Sequence, residues 1–365
     1  MVTLVDPFED LPLRDDLRSR TPIAAPPQVD AAVRLDTNGN PFPVPDAVAD
    51  SIEKSVRGLV RELHRFPDPD ALALREDLAT YVGHGMTAAN IWVGNGSGDV
   101  QQQALLAFGG HNRTAMGFLP SRALHAHVAA ATGTGWFDGH RTREFHLHPE
   151  QAKAQVRVFQ PDLVFLCSPN NPTGSAVSLE TVEAVASETA GVVIVDEAYI
   201  EFAREGTRSA VELISRFPRL LVTRSLSSAF GMAGARVGYL IGRPHAIEYL
   251  QHVRMPHHLS SLAQAAARAA LAHASTLLSQ VEAVKTQRDR LVAGLRELGL
   301  TVPDSDANFV LFGGFKDEKA VWRFLLDRGV AVRDVGVPSY LRVSAGTAEE
   351  VDTFLQVMGQ LPDGI

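Results

Sequence analysis

The sequence predicts an α/β protein in two unequal parts, a three-layer large domain with a mostly parallel sheet and a smaller α+β domain. Three observations predict it. Short apolar runs alternate with helical stretches between residues 91 and 241, the order of a parallel sheet with helices on both faces. After Pro256 the pattern changes to a long Ala/Leu-rich helical stretch, then short strands and helices. A length of 365 residues is too great for one small domain and comfortable for two. The expected division is 1–44 for an N-terminal arm and small-domain segment, 45–258 for the large domain, and 259–365 for the small C-terminal domain.

Residues 1–34 are rich in Pro, Asp and Arg and read as an arm with a short helix. Residues 46–60 have helical spacing with Asp46 as the expected N-cap, and Asp70 to Val82 repeats that pattern. The alternation then begins: strand Ile91–Val93, helix Asp99–Phe108, strand Thr114–Phe118, helix Ala123–Thr132. The runs Asp162–Cys167 and Val192–Val195 look like strands buried on both faces, with helix Leu179–Thr189 between them. Leu220–Ser225 and Val237–Ile241 complete the strand series. Beyond Pro256 come a helical region Leu259–Leu298, strand Phe309–Phe312, helix Ala320–Arg328, strands Val330–Val332 and Leu341–Ser344, and a last helix Ala348–Met358. No internal repeat or low-complexity tract interrupts this order.

Composition narrows the function. Hydrophobic residues make up 45% and charged residues 21% of the chain, ordinary values for a globular protein. The net charge of -8 gives no general attraction to nucleic acid or anionic lipid. No apolar run approaches the roughly 18 residues of a membrane span, and acids and prolines from Asp6 onward break any signal-peptide pattern. The single cysteine, Cys167, fits a reducing cytoplasm. No metal site is expected. Lysine is confined to Lys54, Lys153, Lys285, Lys316 and Lys319.

Three segments at strand ends carry the chemistry. Ser168-Pro169-Asn170-Asn171-Pro172-Thr173-Gly174 follows a buried strand, where open α/β sheets place their ligands; alone it could be a surface turn. Asp196-Glu197-Ala198-Tyr199 follows the next strand. A carboxylate there costs energy unless compensated. A cationic heteroaromatic nitrogen would compensate it, as would a helix N-terminus or a structural salt bridge. Thr223 to Arg236 follows a third strand, and its closely spaced hydroxyls, glycines and arginine suit a bound phosphate.

Together these segments resemble the pyridoxal-phosphate aminotransferases of the aspartate-aminotransferase fold, most nearly the histidinol-phosphate branch, over nearly the whole chain. Leu35-Asp36-Thr37-Asn38-Gly39-Asn40-Pro41-Phe42, His64-Arg65-Phe66-Pro67-Asp68, Arg333-Asp334-Val335-Gly336 and Leu341-Arg342-Val343 add to the likeness. The resemblance implies pyridoxal phosphate as cofactor, a small amine or amino acid as substrate, and a homodimer. It implies that Asp196 pairs with the pyridine nitrogen, Tyr199 and Asn171 with the phenolic oxygen, and Ser225, Ser227, Arg236 and the Ser97–Gly98 backbone with the phosphate. It further implies that Arg342 grips a substrate carboxylate, with Asn40 nearby, and that Phe66 stands where a tyrosine reaches the partner subunit's cofactor.

The chain departs from that pattern. Ser228 stands where the family carries the lysine that anchors the cofactor and moves the substrate's proton, so any bound cofactor is expected to be non-covalent. Arg122 stands where a tyrosine stacks on the ring, Gly98 where Asn or Asp is usual, and Gly39 where Glu is usual. Three readings stay open: Ser228 as a replacement introduced to trap a bound state, a paralogue that uses another base, and a cleft that has lost the cofactor. Tyr199, His125, His127, His257 and His258 are the candidate bases, with Ser228 at the lysine position. In the last reading Arg122 pairs with a carboxylate or phosphate on a new ligand.

Overall fold

The computed structural model describes residues 13–18, 20, 22 and 29–362. Most of the expected N-terminal arm lies outside the described residues. Its described part holds a one-turn helix, α1 (Asp15–Arg18), and a two-residue strand, β1 (Val33–Arg34). Helices α2 (Asp46–Leu59) and α3 (Leu72–Val82) follow.

The central unit then runs β2 (Ile91–Gly94), α4 (Ser97–Phe108), β3 (Thr114–Leu119), α5 (Ala123–Ala131), β4 (Gly135–His140), α6 (Pro149–Phe159), β5 (Leu163–Cys167), α7 (Leu179–Glu188), β6 (Val192–Asp196), β7 (Leu220–Ser225), β8 (Gly238–Ile241) and α8 (Pro244–Leu250). Its strands form a seven-stranded sheet in the order β2-β8-β7-β6-β5-β3-β4. Only β8 runs against its neighbours, so the sheet is mostly parallel as the alternation predicts. The strands read as continuous apolar runs because both faces are covered. Leu163 and Phe165 enter one core with Val100, Leu105 and Ile247. Val164 and Leu166, the alternate residues, enter the other with Leu78, Val156 and Val182.

The last third comprises α9 (Ser261–Ala272), α10 (Ala274–Glu297), β9 (Phe309–Gly313), α11 (Glu318–Leu326), β10 (Val330–Ala331), β11 (Tyr340–Ser344) and α12 (Ala348–Met358). Strand β9 pairs antiparallel with β11, and β10 pairs parallel with β1. The β1 pairing carries the following segment, Leu35 to Asn40, back to the large sheet.

Three expectations need correction. Asp46 is not the N-cap of α2: Pro45 occupies that place and no side chain caps the helix, so Asp46 sits in the first turn, where its charge still suits the dipole. The region 259–298 is not one helix but two, parted at His273, a break that its Ala-rich sequence does not signal. Strand β4 and helix α6 have no counterpart in the sequence reading. β4 lies at the sheet edge, half exposed, with Gly135, Asp138 and Gly139 in place of an apolar run.

Candidate active site

All strands but β8 point their carboxyl ends to one side of the sheet. The loops after β2, β3, β5, β6 and β7 therefore converge there. Register locks them together: Cys167 pairs with Asp196, and Asp196 with Thr223. A cavity of about 460 Å³ opens over these ends, lined among others by Asn38, Ser97, Gly98, Arg122, Tyr199, Ser225, Ser227, Ser228 and Arg236.

At the floor sits Asp196, fully buried. One carboxylate oxygen, Oδ2, accepts from Arg122 Nη1 at 2.8 Å and meets His125 Nε2 at 3.0 Å. The other, Oδ1, accepts weakly from the Ala198 amide at 3.3 Å and Thr223 Oγ1 at 3.4 Å. Gln101 Nε2 donates to that same Thr223 hydroxyl at 2.9 Å, which leaves the hydroxyl proton for Asp196. Burial pushes the Asp196 carboxyl up, but the Arg122 charge and the His125 hydrogen bond outweigh it and hold the group well below the usual carboxylate range. Burial lowers His125, with Asp196 pulling the other way, so the ring is neutral near pH 7 and acts as a donor through Nε2. Its face stacks on Phe165 at 4.7 Å.

Above Asp196, Tyr199 takes two amide donors on its hydroxyl oxygen, Asn38 Nδ2 at 3.0 Å and Asn171 Nδ2 at 3.3 Å. Both use the oxygen as acceptor, so the phenolic proton is uncommitted. Arg342 Nη1 donates to Asn171 Oδ1 at 2.8 Å, which fixes the amide so that its NH2 faces Tyr199. Arg342 Nη2 donates to the Asp36 carbonyl at 3.0 Å, and its Nε is buried with no partner. Burial lowers Arg342 to about 10, leaving it cationic at neutral pH. The guanidinium is thus committed to the protein through Nη1 and Nη2, with Nε buried.

The opposite end suits an anion. Helix α4 starts at Ser97 with no side-chain cap, and the first amides bonded back into the helix are those of Asp99 and Val100, both to Gly96. The Ser97 and Gly98 amides precede them, the usual orphan donors of a helix start. Ser225 Oγ accepts from the Ser227 amide at 3.0 Å, and Arg236 Nη1 donates to Ser227 Oγ at 3.4 Å. Gly96 has φ +96, and a Cβ there would meet Arg236 Nη2. A glycine is what lets the guanidinium lie against this turn.

Ser228 lines the same cavity and donates to the Asn38 carbonyl at 2.7 Å. The remaining expected residues lie apart. Phe66 does not line the cavity; its ring is 83% exposed and stacks on His257. Asn40 is held by its Oδ1, which accepts from the Phe42 amide, while its buried Nδ2 has no partner. Of the candidate bases, His127 is exposed on α5, His257 contacts the Pro67 carbonyl and His258 the Val93 carbonyl. His125 lies on the protein side of Asp196 rather than among the lining residues. None of these histidines lines the cavity, whereas Tyr199 and Ser228 do. Arg122 lines the cavity and pairs with Asp196, the buried carboxylate within its reach. Sequence reasoning missed Asn38, Asn308 and Gln101. Asn308 Nδ2 supports the Asn38 and Gly39 carbonyls, a contact between distant segments that no local motif signals.

Comparison with known proteins follows the same lines. Residues 31–358 match the family described as aminotransferase class I and II. The histidinol-phosphate aminotransferase of Frankia casuarinae is 51% identical over 364 residues, covering 98% of this chain and 91% of that protein. The histidinol-phosphate aminotransferase of Sinorhizobium meliloti, solved in complex with pyridoxal-5'-phosphate, matches with a TM-score of 0.82 at 26% identity, over 91% of this chain and 92% of that one. A double mutant of Thermus thermophilus aspartate aminotransferase shares the fold, with a TM-score of 0.79 at 24% identity over 91% and 92% of the two chains.

Proposed function

The chain belongs to the class I and II aminotransferases, and from that premise we propose that it binds pyridoxal phosphate non-covalently and acts on the amino group of a small amino acid or phosphorylated amine. The observation that carries this reading is the buried Asp196, paired with the cavity-lining Arg122, beneath a cavity also lined by Ser97, Ser225, Ser227 and Arg236. An anion at one end and a cluster of anion-seeking donors at the other match a ligand with a protonatable ring nitrogen and a phosphate. Two of the cofactor's three polar ends fit the residues as they stand. The α4 start and the Gly96 turn would hold the phosphate, and Tyr199 and Asn171 would hold the phenolic oxygen. The nitrogen end fits once Arg122 yields its place on Asp196.

When bound, pyridoxal phosphate supplies an electrophilic carbon and a ring that withdraws electrons from the substrate's Cα. In this account Asp196 keeps the ring nitrogen protonated, because an anion in a dry site favours a cation beside it. Arg342 would orient the substrate's acidic group by exchanging its bonds to Asn171 and the Asp36 carbonyl. Tyr199, whose phenolic proton is uncommitted, would serve as a proton donor. Ser228 offers a hydroxyl, a poor base near neutral pH and unable to form the covalent link that a lysine makes. Loss of a positioned acid–base group costs ~10²–10⁴-fold in rate, so transamination in the manner of the histidinol-phosphate enzymes is slow in this chain. The likeness to that branch supports a phosphate-bearing amine as substrate and a homodimer as the working unit.

The test is a binding titration of pyridoxal phosphate by equilibrium dialysis on the wild type and on Asp196→Ala. The account expects saturable binding in the wild type and its loss in the variant. Unchanged affinity in Asp196→Ala would sink the assignment and leave a cleft for some other small anion.

A further inference from the structure

We infer that Arg122 is a built-in competitor for the cofactor's ring nitrogen, occupying Asp196 until the ligand displaces it. The inference rests on the cofactor reading above and adds a device that sets the affinity of the site.

An ionised carboxylate offers about four lone-pair sites. Asp196 meets four donors already: Arg122, His125, Thr223 and the Ala198 amide. A ring N–H can reach the carboxylate only if one of them leaves. Three are fixed. The Ala198 amide is backbone two residues away, and Thr223 is a β7 strand residue tied to Gln101. His125 is buried on α5 and stacked on Phe165. Arg122 alone is free to go. It precedes the first turn of α5, its side chain is 24% exposed, it lines the cavity, and its Nη1 already lies 3.4 Å from Ser97 Oγ on the anion-seeking side.

Charge makes the exchange balanced. Asp196 is buried and ionised, so it requires a cation in either state. Without ligand the guanidinium supplies it; with ligand the protonated ring does. The cofactor therefore binds in competition with an intramolecular partner, and the apparent affinity falls by the fraction of molecules in which Arg122 is away. A stacking aromatic at this position would impose no such competition.

The experiment compares pyridoxal phosphate affinity, by equilibrium dialysis, in wild type, Arg122→Gln and Arg122→Tyr, with Asp196→Ala as control. Thermal melting with and without the cofactor follows folding. The expected result is binding at least tenfold tighter in Arg122→Gln or Arg122→Tyr. The variants should also melt lower than wild type without cofactor and regain more on adding it. If Gln at this position prevents folding, the Tyr variant carries the test. Equal or weaker affinity in a folded Arg122 variant, with Asp196→Ala still abolishing binding, overturns the competitor and leaves the cofactor assignment standing. Absence of binding in every protein, including the Arg122 variants, overturns both.

Discussion

His125 shows at the scale of one residue how burial and an anion contend. Dehydration of the ring wins over the attraction of Asp196, and its affinity for a proton falls below the ordinary histidine value. The sign of the consequence follows from linkage. The unfolded chain binds a proton near pH ~6.5 while the folded chain resists it, so stability rises with pH up to that point and is flat above it. Asp196 contributes in the opposite region. Its lowered affinity adds stability that is complete above about pH 4 and is lost only in stronger acid. We therefore predict that the melting temperature climbs from about pH 5 to about pH 7 and that His125→Gln flattens the climb. An equal slope in the variant would assign the dependence to other groups. The sequence marked Asp196 as an acid at the end of a buried strand, and Tyr199 and Asn171 through the resemblance of the segments that hold them. It could not show that Arg122, 74 positions away, closes on Asp196, because ion pairs across loops depend on register. For the same reason His125 was legible as a titratable residue but not as the support of Asp196.

At the scale of the element, the start of α4 and the loop after β7 make one structure. Gly238 of β8 packs so closely on the Gly96–Ser97 backbone that a Cβ there would overlap it, and Gly96 holds a left-handed φ beside Arg236. Strain of this kind costs roughly 1–3 kcal/mol when a side chain is forced onto it. Gly96→Ala is accordingly expected to lower stability by about 1–3 kcal/mol in chemical denaturation, and to weaken phosphate-end binding by displacing Arg236. A variant with wild-type stability and cofactor affinity would contradict that role. Elements with a strong period were legible. Strands β5 and β6 are unbroken apolar runs, and α12 opens with a Thr347–Glu350 capping box, which is written in the sequence. Edge strand β4 and the break at His273 were not, since a half-exposed strand needs no apolar run and a helix kink between alanines leaves no compositional mark.

At the scale of the whole molecule, the site is assembled from both ends of the chain. Asn38 comes from the segment after β1, Arg342 from β11, and the rest from the carboxyl edge of the central sheet. Ser228 takes part in this closure through its bond to the Asn38 carbonyl, while Asn171 and Arg342 hold each other directly. In the proposed function, binding survives where covalent attachment does not. The measurement that tests it most directly is the absorbance spectrum of the protein with pyridoxal phosphate, before and after a phosphorylated amine such as histidinol phosphate, on wild type and Ser228→Lys. The account predicts a shifted spectrum in the wild type only on amine addition, and in Ser228→Lys a shift with cofactor alone that borohydride fixes to the chain. A wild-type spectrum identical to free cofactor throughout, with no adduct in Ser228→Lys, would contradict it.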